Sequence, residues 1–264
     1  MNTRSVFAFA GFLLFLILAA FPSVTSANHS WNKYHWARTS NPFTIKLGNN
    51  TSGTWTGHLS TASTDWSVSS VLDTMVVPGG TSASTCSPTS GRVEVCNADY
   101  GNTGWLGVAQ IWLTIGSHIA QGTVKNNDYY FGTSTYQYNN QAEQLHVMCQ
   151  EIGHTFGLGH QDESGASLNT CMDYYHNTSD SDTLSTHPNQ HDYDQLVSIY
   201  KHKDRFNSYG SASAKLPAQL MTGNLNHPSQ WGRLVQTIGN GRASVFEKDL
   251  GADHKVVTLV IWAQ

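Results

Sequence analysis

Gln150-Glu151-Ile152-Gly153-His154-Thr155-Phe156-Gly157-Leu158-Gly159-His160 is the stretch that decides how this chain is read. A helix brings residues i and i+4 to one face, about one turn apart. Gln150 and His154 can therefore address the same ion, with Glu151 beside them. Gly157 can take the left-handed conformation that ends a helix. The chain then turns back and can carry His160 to a third position. Three protein donors and one position left for water is the arrangement of catalytic zinc. There the ion acidifies its water and a neighbouring carboxylate takes the proton.

The stretch differs by one residue from H-E-x-x-H-x-x-G-x-x-H, with Gln150 in place of the first His. Downstream lies Cys171-Met172-Asp173-Tyr174-Tyr175. Together these residues resemble the metzincin clan of zinc endopeptidases, and within it the matrixin-like members. The resemblance follows the order of elements from about Trp36 to Asp204. It implies an α+β zincin fold: a mixed twisted sheet, an active-site helix and a Met-turn, here with a β-rich C-terminal extension. It also implies one catalytic Zn2+ held by Gln150, His154 and His160. Glu151 would be the general base, and Met172 the apolar floor beneath the ligands. Tyr174 stands where the astacin and serralysin branches carry a tyrosine near the metal or the oxyanion.

A Gln amide oxygen is neutral and a poorer donor than imidazole, so weaker metal affinity is expected. His146 lies one turn before Gln150, roughly 12 Å along the axis from His154. One ion with bonds of about 2.1 Å cannot hold both imidazoles. His146 is therefore expected behind the ligands, supporting Gln150 or the water. Asp162 is a spare ligand. The alternative is a catalytically inactive metzincin-fold protein acting as an extracellular binding module, and Gln150 is the feature in its favour. A further alternative is an adhesion module worked by the C-terminal residues.

Composition narrows the class. Arg4 followed by the apolar run Val6 to Phe21 and by Thr25-Ser26-Ala27 reads as a signal peptide over 1–27. The run is short for a membrane span, so an exported, extracellular protein without stable membrane insertion is expected. Cleavage there leaves about 237 residues, 264 minus 27. That suffices for a catalytic domain over 28–206 and an extension over 207–264. Net charge is -4 and only 12% of residues are charged, with no basic stripe, which excludes nucleic acid as the expected partner. A protein or peptide substrate and a monomeric state are expected instead. Asn49, Asn50 and Asn177 head N-x-S/T sequons.

Four cysteines in an exported chain suggest two disulfides. Three pairings are possible. Cys86–Cys96 closes a short loop, and Cys149–Cys171 would then tie the helix to the Met-turn through a loop worth about 3 kcal/mol in the chain-entropy model. The cysteines lack C-x-x-C spacing, which argues against a zinc–thiolate site. No cysteine precedes Cys86, so the cysteine-switch latency of matrixins is not expected.

Patterning places the elements. Pro42 to Leu47, Thr74 to Val77, Arg92 to Val95, Trp105 to Ile115 and His118 to Lys125 read as strands. His58 to Leu72 reads as an amphipathic helix with Leu59, Ala62, Trp66 and Val68 inward. Asn140 with Glu143 offers a capping box for the 150s helix. Ala142, Leu145, Cys149, Ile152 and Phe156 form its apolar stripe. Asn189 caps a last helix, around which His187, His191 and His202 read as surface or capping residues. Trp105–Thr114 is expected at the sheet edge above the cleft, where an extended substrate can add; an interior strand is the other reading. Residues 208–214 read as a linker. Trp231–Thr237, Ala243–Glu247 and Val256–Trp262 read as strands, forming either an appendage or additions to the main fold.

Overall fold

The structure, a computed structural model, describes residues 29–114, 116–210, 225–239 and 241–263. The expected signal peptide and most of the expected linker lie outside these residues. Among the described residues no helix is long and apolar enough to cross a membrane.

The strands are β1 (His35–Trp36), β2 (Phe43–Asn50), β3 (Leu72–Pro78), β4 (Val93–Ala98), β5 (Trp105–Leu113), β6 (His118–Asn127), β7 (Arg233–Thr237), β8 (Ala243–Gly251) and β9 (His254–Trp262). They form one mixed sheet in the order β3-β2-β4-β6-β5-β9-β8-β7, with β1 beside β6. β3, β2, β4 and β6 pair in parallel. From β5 onward every pairing is antiparallel. The α+β class and mixed sheet agree with expectation.

Four α-helices and a 3-10 turn at Pro228–Gln230 complete the architecture among the described residues: α1 (Thr54–Trp66), the single turn α2 (Asp128–Phe131), α3 (Gln141–His154) and α4 (Gln190–Ile199). α1 is shorter than the apolar pattern suggested. Leu72 opens β3, and Val68, expected inward, is 67% exposed because the helix has already ended. α1 and α3 pack on each other, α1 also on β3 and α3 on β5 and β6. Trp66 and Phe156 meet edge-on at 5.8 Å in the core.

β5 is the element whose role differs most from expectation. Its nine residues are all buried. It is not an edge: β9 pairs along it from Trp105↔Trp262 to Leu113↔Lys255. The composition explains why. A strand covered on both faces reads as a continuous apolar run. Leu106, Ala109 and Ile111 face the helices, whereas Trp105, Val108 and Trp112 join Leu225, Trp231, Val256 and Val260 in a second cluster. The residues from 225 onward thus add three strands to the sheet and help cover its second face.

Both disulfides pair as preferred, Cys86–Cys96 and Cys149–Cys171. Asn177 heads a sequon but is fully buried, with its amide donating to the Asp182 and Leu184 carbonyls. An attached glycan would replace one of the two amide hydrogens and so break one of these bonds.

Candidate metal and catalytic site

α3 begins where Asn140, in extended conformation, accepts a bond from the Glu143 main-chain N–H. The Glu143 side chain does not return to Asn140. It is fully buried and takes bonds from the Asn177 N–H at 2.6 Å and from the His176 ring at 2.6 Å, with His146 at 3.4 Å. Burial alone would raise its pKa, but the bonds and charges of His146 and His176 outweigh it and hold the carboxyl at about 2. Glu143 thus anchors His176 and Asn177 to the helix start.

α3 ends at His154, and Gly157 follows with φ +95°. A Cβ there would fall on the Tyr34 carbonyl, so only glycine fits. The reversal carries the chain to His160. The rings of His154 and His160 then meet edge-on with centroids 4.9 Å apart. Nδ1 of His154 donates to the Leu158 carbonyl at 2.8 Å, and Nδ1 of His160 faces Glu163 Oε1 at 3.3 Å. Each contact puts the ring proton on Nδ1 and leaves the lone pair on Nε2. Both Nε2 atoms are buried and lack a hydrogen-bond partner.

The Gln150 amide is set by the loop beneath it. Its Nε2 donates to the Cys171 carbonyl at 2.9 Å and the Asp173 carbonyl at 2.7 Å. Those acceptors leave Oε1 as the free end, buried and unpartnered. His146 stands beside the same nitrogen at 3.4 Å and faces the Asp173 carbonyl at 3.1 Å. Met172 is fully buried, and its sulfur lies so close to α3 that a Cβ on Gly153 would be 2.6 Å from it. The loop is tied to the strand-like run after His160 by Gln161 N–H to the Met172 carbonyl (2.7 Å) and Tyr174 N–H to the Asp162 carbonyl (2.8 Å). Asp162, held as a spare ligand, instead spends Oδ1 on Ser164.

Glu151 is fully buried, against β5 and β9. Burial raises its pKa well above the usual carboxylate range, and the N–H groups of Ala109 and Ile261 offset this only in part. Neither N–H is aligned closely enough to complete a hydrogen bond, and both carboxyl oxygens remain unpartnered. Tyr174 packs edge-on to His160 at 5.3 Å, and its hydroxyl accepts the Trp262 N–H at 3.0 Å. Burial lifts its pKa to about 12, so it keeps its proton at neutral pH.

Sequence reasoning missed His29. Residues 29–31 pair with 157–159, through Trp31 N–H to the Gly157 carbonyl and Gly159 N–H to the His29 carbonyl. This brings the His29 ring near the others. Burial, chiefly, and the nearby His191 and His160 lower its pKa to about 4. Burial also drives the His154 pKa far down, helped by His160, His29 and His146. Nothing local flags His29; only its pairing with the residues before His160 does. A cleft of about 550 Å³ opens here, lined by His29, Trp31, His160, Glu163 and Gln236 among others.

No protein-family model matches the chain, and no curated protein does. Among solved structures, that of myroilysin aligns with 63% of this chain and 97% of its own at 11% identity, with a TM-score of 0.34.

Proposed function

We propose that this chain is an exported, zinc-dependent endopeptidase with Gln150 Oε1, His154 Nε2 and His160 Nε2 as the metal donors. One observation carries the reading. Three neutral donor atoms and both oxygens of Glu151 are buried without partners around the end of α3. Buried polar atoms are nearly always satisfied, and two imidazoles with an amide oxygen suit zinc. The donors are also pre-oriented: Leu158 and Glu163 fix the imidazole tautomers, and the Met-turn carbonyls hold the amide.

A divalent ion so held supplies Lewis acidity to the scissile carbonyl and to water. The protein's part is then specific. Glu151 accepts the water proton and returns it to the leaving amine. Tyr174 takes a bond from Trp262 and keeps its own proton, so it can donate to the developing oxyanion. Substrate enters along the cleft beside His160. The end of β9 has to yield for a peptide carbonyl to reach Glu151, because Ile261 and Trp262 occupy that approach.

That same cover favours the second reading, a non-catalytic module with a permanently closed centre. Metal analysis and cleavage of an unstructured protein substrate decide between them. The proposal expects chelator-sensitive cleavage that Glu151→Gln abolishes. Cleavage that survives in Glu151→Gln, or zinc-loaded protein that cleaves nothing even with β9 released, rejects it.

A further inference from the structure

β1 and β6 run in parallel with His35 opposite His118 in register. Side by side on adjacent strands, their rings meet edge-on at 4.9 Å. The segment that follows α4 returns to the same place and brings His202 and Asp204. Arg38 holds it there. Its Nη1 and its main-chain N–H both donate to Asp204 Oδ2, at 3.0 and 3.1 Å. Its Nη2 donates to the His202 carbonyl, and its carbonyl accepts the Asp204 N–H at 2.9 Å. Arg38 is itself fully buried, so the clamp is rigid.

The donor atoms of this group converge. His35 Nε2 is 3.1 Å from His202 Nε2 and 3.5 Å from Asp204 Oδ2. His202 Nε2 is 3.4 Å and His118 Nε2 3.3 Å from Asp204 Oδ1. Ligands of a tetrahedral zinc with bonds of about 2.0–2.1 Å stand roughly 3.3–3.4 Å apart. Taking one donor atom each, His35, His202 and Asp204 lie within 4.8 Å of one another, so small side-chain shifts bring all three onto one ion.

The hydrogen bonding of His35 leaves a lone pair for a Lewis acid. His35 Nδ1 lies 2.6 Å from the Lys33 carbonyl, which fixes the proton on Nδ1 and turns a lone pair at Nε2 toward His202. The one carboxylate, Asp204, is already paired with Arg38.

We propose that His35, His202 and Asp204 form a second zinc site, with a water as the fourth ligand. It is separate from the α3 donors and shares no residue with them. The site is structural: its ligands come from two distant stretches of chain, so an ion there staples β1 to the segment after α4. His202, 55% exposed, leaves a path for the ion to enter.

The test uses the full exported chain, stripped with chelator and titrated with zinc while metal content and melting temperature are read. His202→Asn should remove about one equivalent of bound zinc and the associated rise in melting temperature. The double variant His154→Ala/His160→Ala should keep that equivalent and that rise. These arms separate the two sites: failure of the α3 reading lowers the total but leaves the loss in His202→Asn. If His202→Asn folds poorly, carbethoxylation of the unmodified chain gives the answer by peptide mapping. Zinc should protect His202 and His35 from the reagent. Unchanged zinc stoichiometry in His202→Asn, or modification of His202 indifferent to zinc, overturns the proposal.

Discussion

Gln150→Ala separates the two jobs assigned to one amide. The nitrogen end joins α3 to the Cys171–Asp173 loop whether or not metal is present, and the proposed function gives the oxygen end a role only toward an ion. Removing the side chain deletes two bonds, to the Cys171 and Asp173 carbonyls. Their costs differ. The Asp173 carbonyl keeps His146 at 3.1 Å, so its loss is an ordinary bond of about 1 kcal/mol. The Cys171 carbonyl loses a 2.9 Å bond at a fully buried residue, which costs about 1–3 kcal/mol as an unmet buried acceptor. The sum is about 2–4 kcal/mol in the presence of chelator. At a urea m-value of about 3 kcal/mol/M the unfolding midpoint falls by about 1 M. Adding zinc should then widen the gap between the two proteins, because only the original chain gains from the ion through Oε1. A midpoint shift under about 0.3 M in chelator would show that the amide nitrogen is not the tie described. An equal gap with and without zinc would remove Gln150 from the ligand set.

Glu151→Gln should cut the cleavage rate by a factor of about 10² or more while leaving the melting temperature in chelator equal or higher, since it removes a buried ionisable group; a fall in stability would mean the carboxylate is structural. Deleting residues 261–264 should raise cleavage several-fold by clearing Ile261 and Trp262 from the approach to Glu151 and Tyr174, read on a fluorogenic peptide; unchanged or lower activity in folded protein would mean β9 does not restrict access. Lys125 is buried, its Nζ bonded to Asn226 Oδ1 at 2.6 Å, and burial lowers its pKa to about 7. Between pH 7 and its unfolded value of 10.5 the unfolded chain binds more protons, so stability climbs with pH across that window and is lowest below it. Lys125→Met should flatten that climb in denaturant titrations and stabilise the protein by about 1–3 kcal/mol at pH 7, after loss of the Asn226 bond. For Glu143 the sign is opposite: its carboxyl is held at about 2, so the stability it supplies is complete above pH 4.5 and drains away as pH falls toward 2, a loss that Glu143→Gln should remove from acid-unfolding curves.

The elements that local pattern could reach were legible in the sequence. The apolar stripe and the Asn140 cap placed α3, and Asn189 placed α4, because helix periodicity and capping depend on neighbours within one turn. The alternation and turn residues around β2, β6, β8 and β9 did the same for strands. Gly157, His154 and His160 followed from spacing along a helix and its exit. The disulfide between Cys149 and Cys171 followed as the remaining pair once the short loop Cys86–Cys96 was preferred.

What the tertiary structure decided was every relation between distant segments. The apolar run of β5 says that both faces are buried, but not which chain lies beside it; that was settled by residues 254–262, about 150 positions later. The same pairing seals Glu151 and meets Tyr174. His29 comes to the α3 site because residues 29–31 pair with 157–159, and His202 meets His35 because Arg38 clamps the segment after α4. Local propensity is set by a residue and its near neighbours, whereas strand order and side-chain convergence depend on which long-range pairing buries the most apolar surface. Donor types are therefore written in the sequence, and their meeting points are written only in the fold.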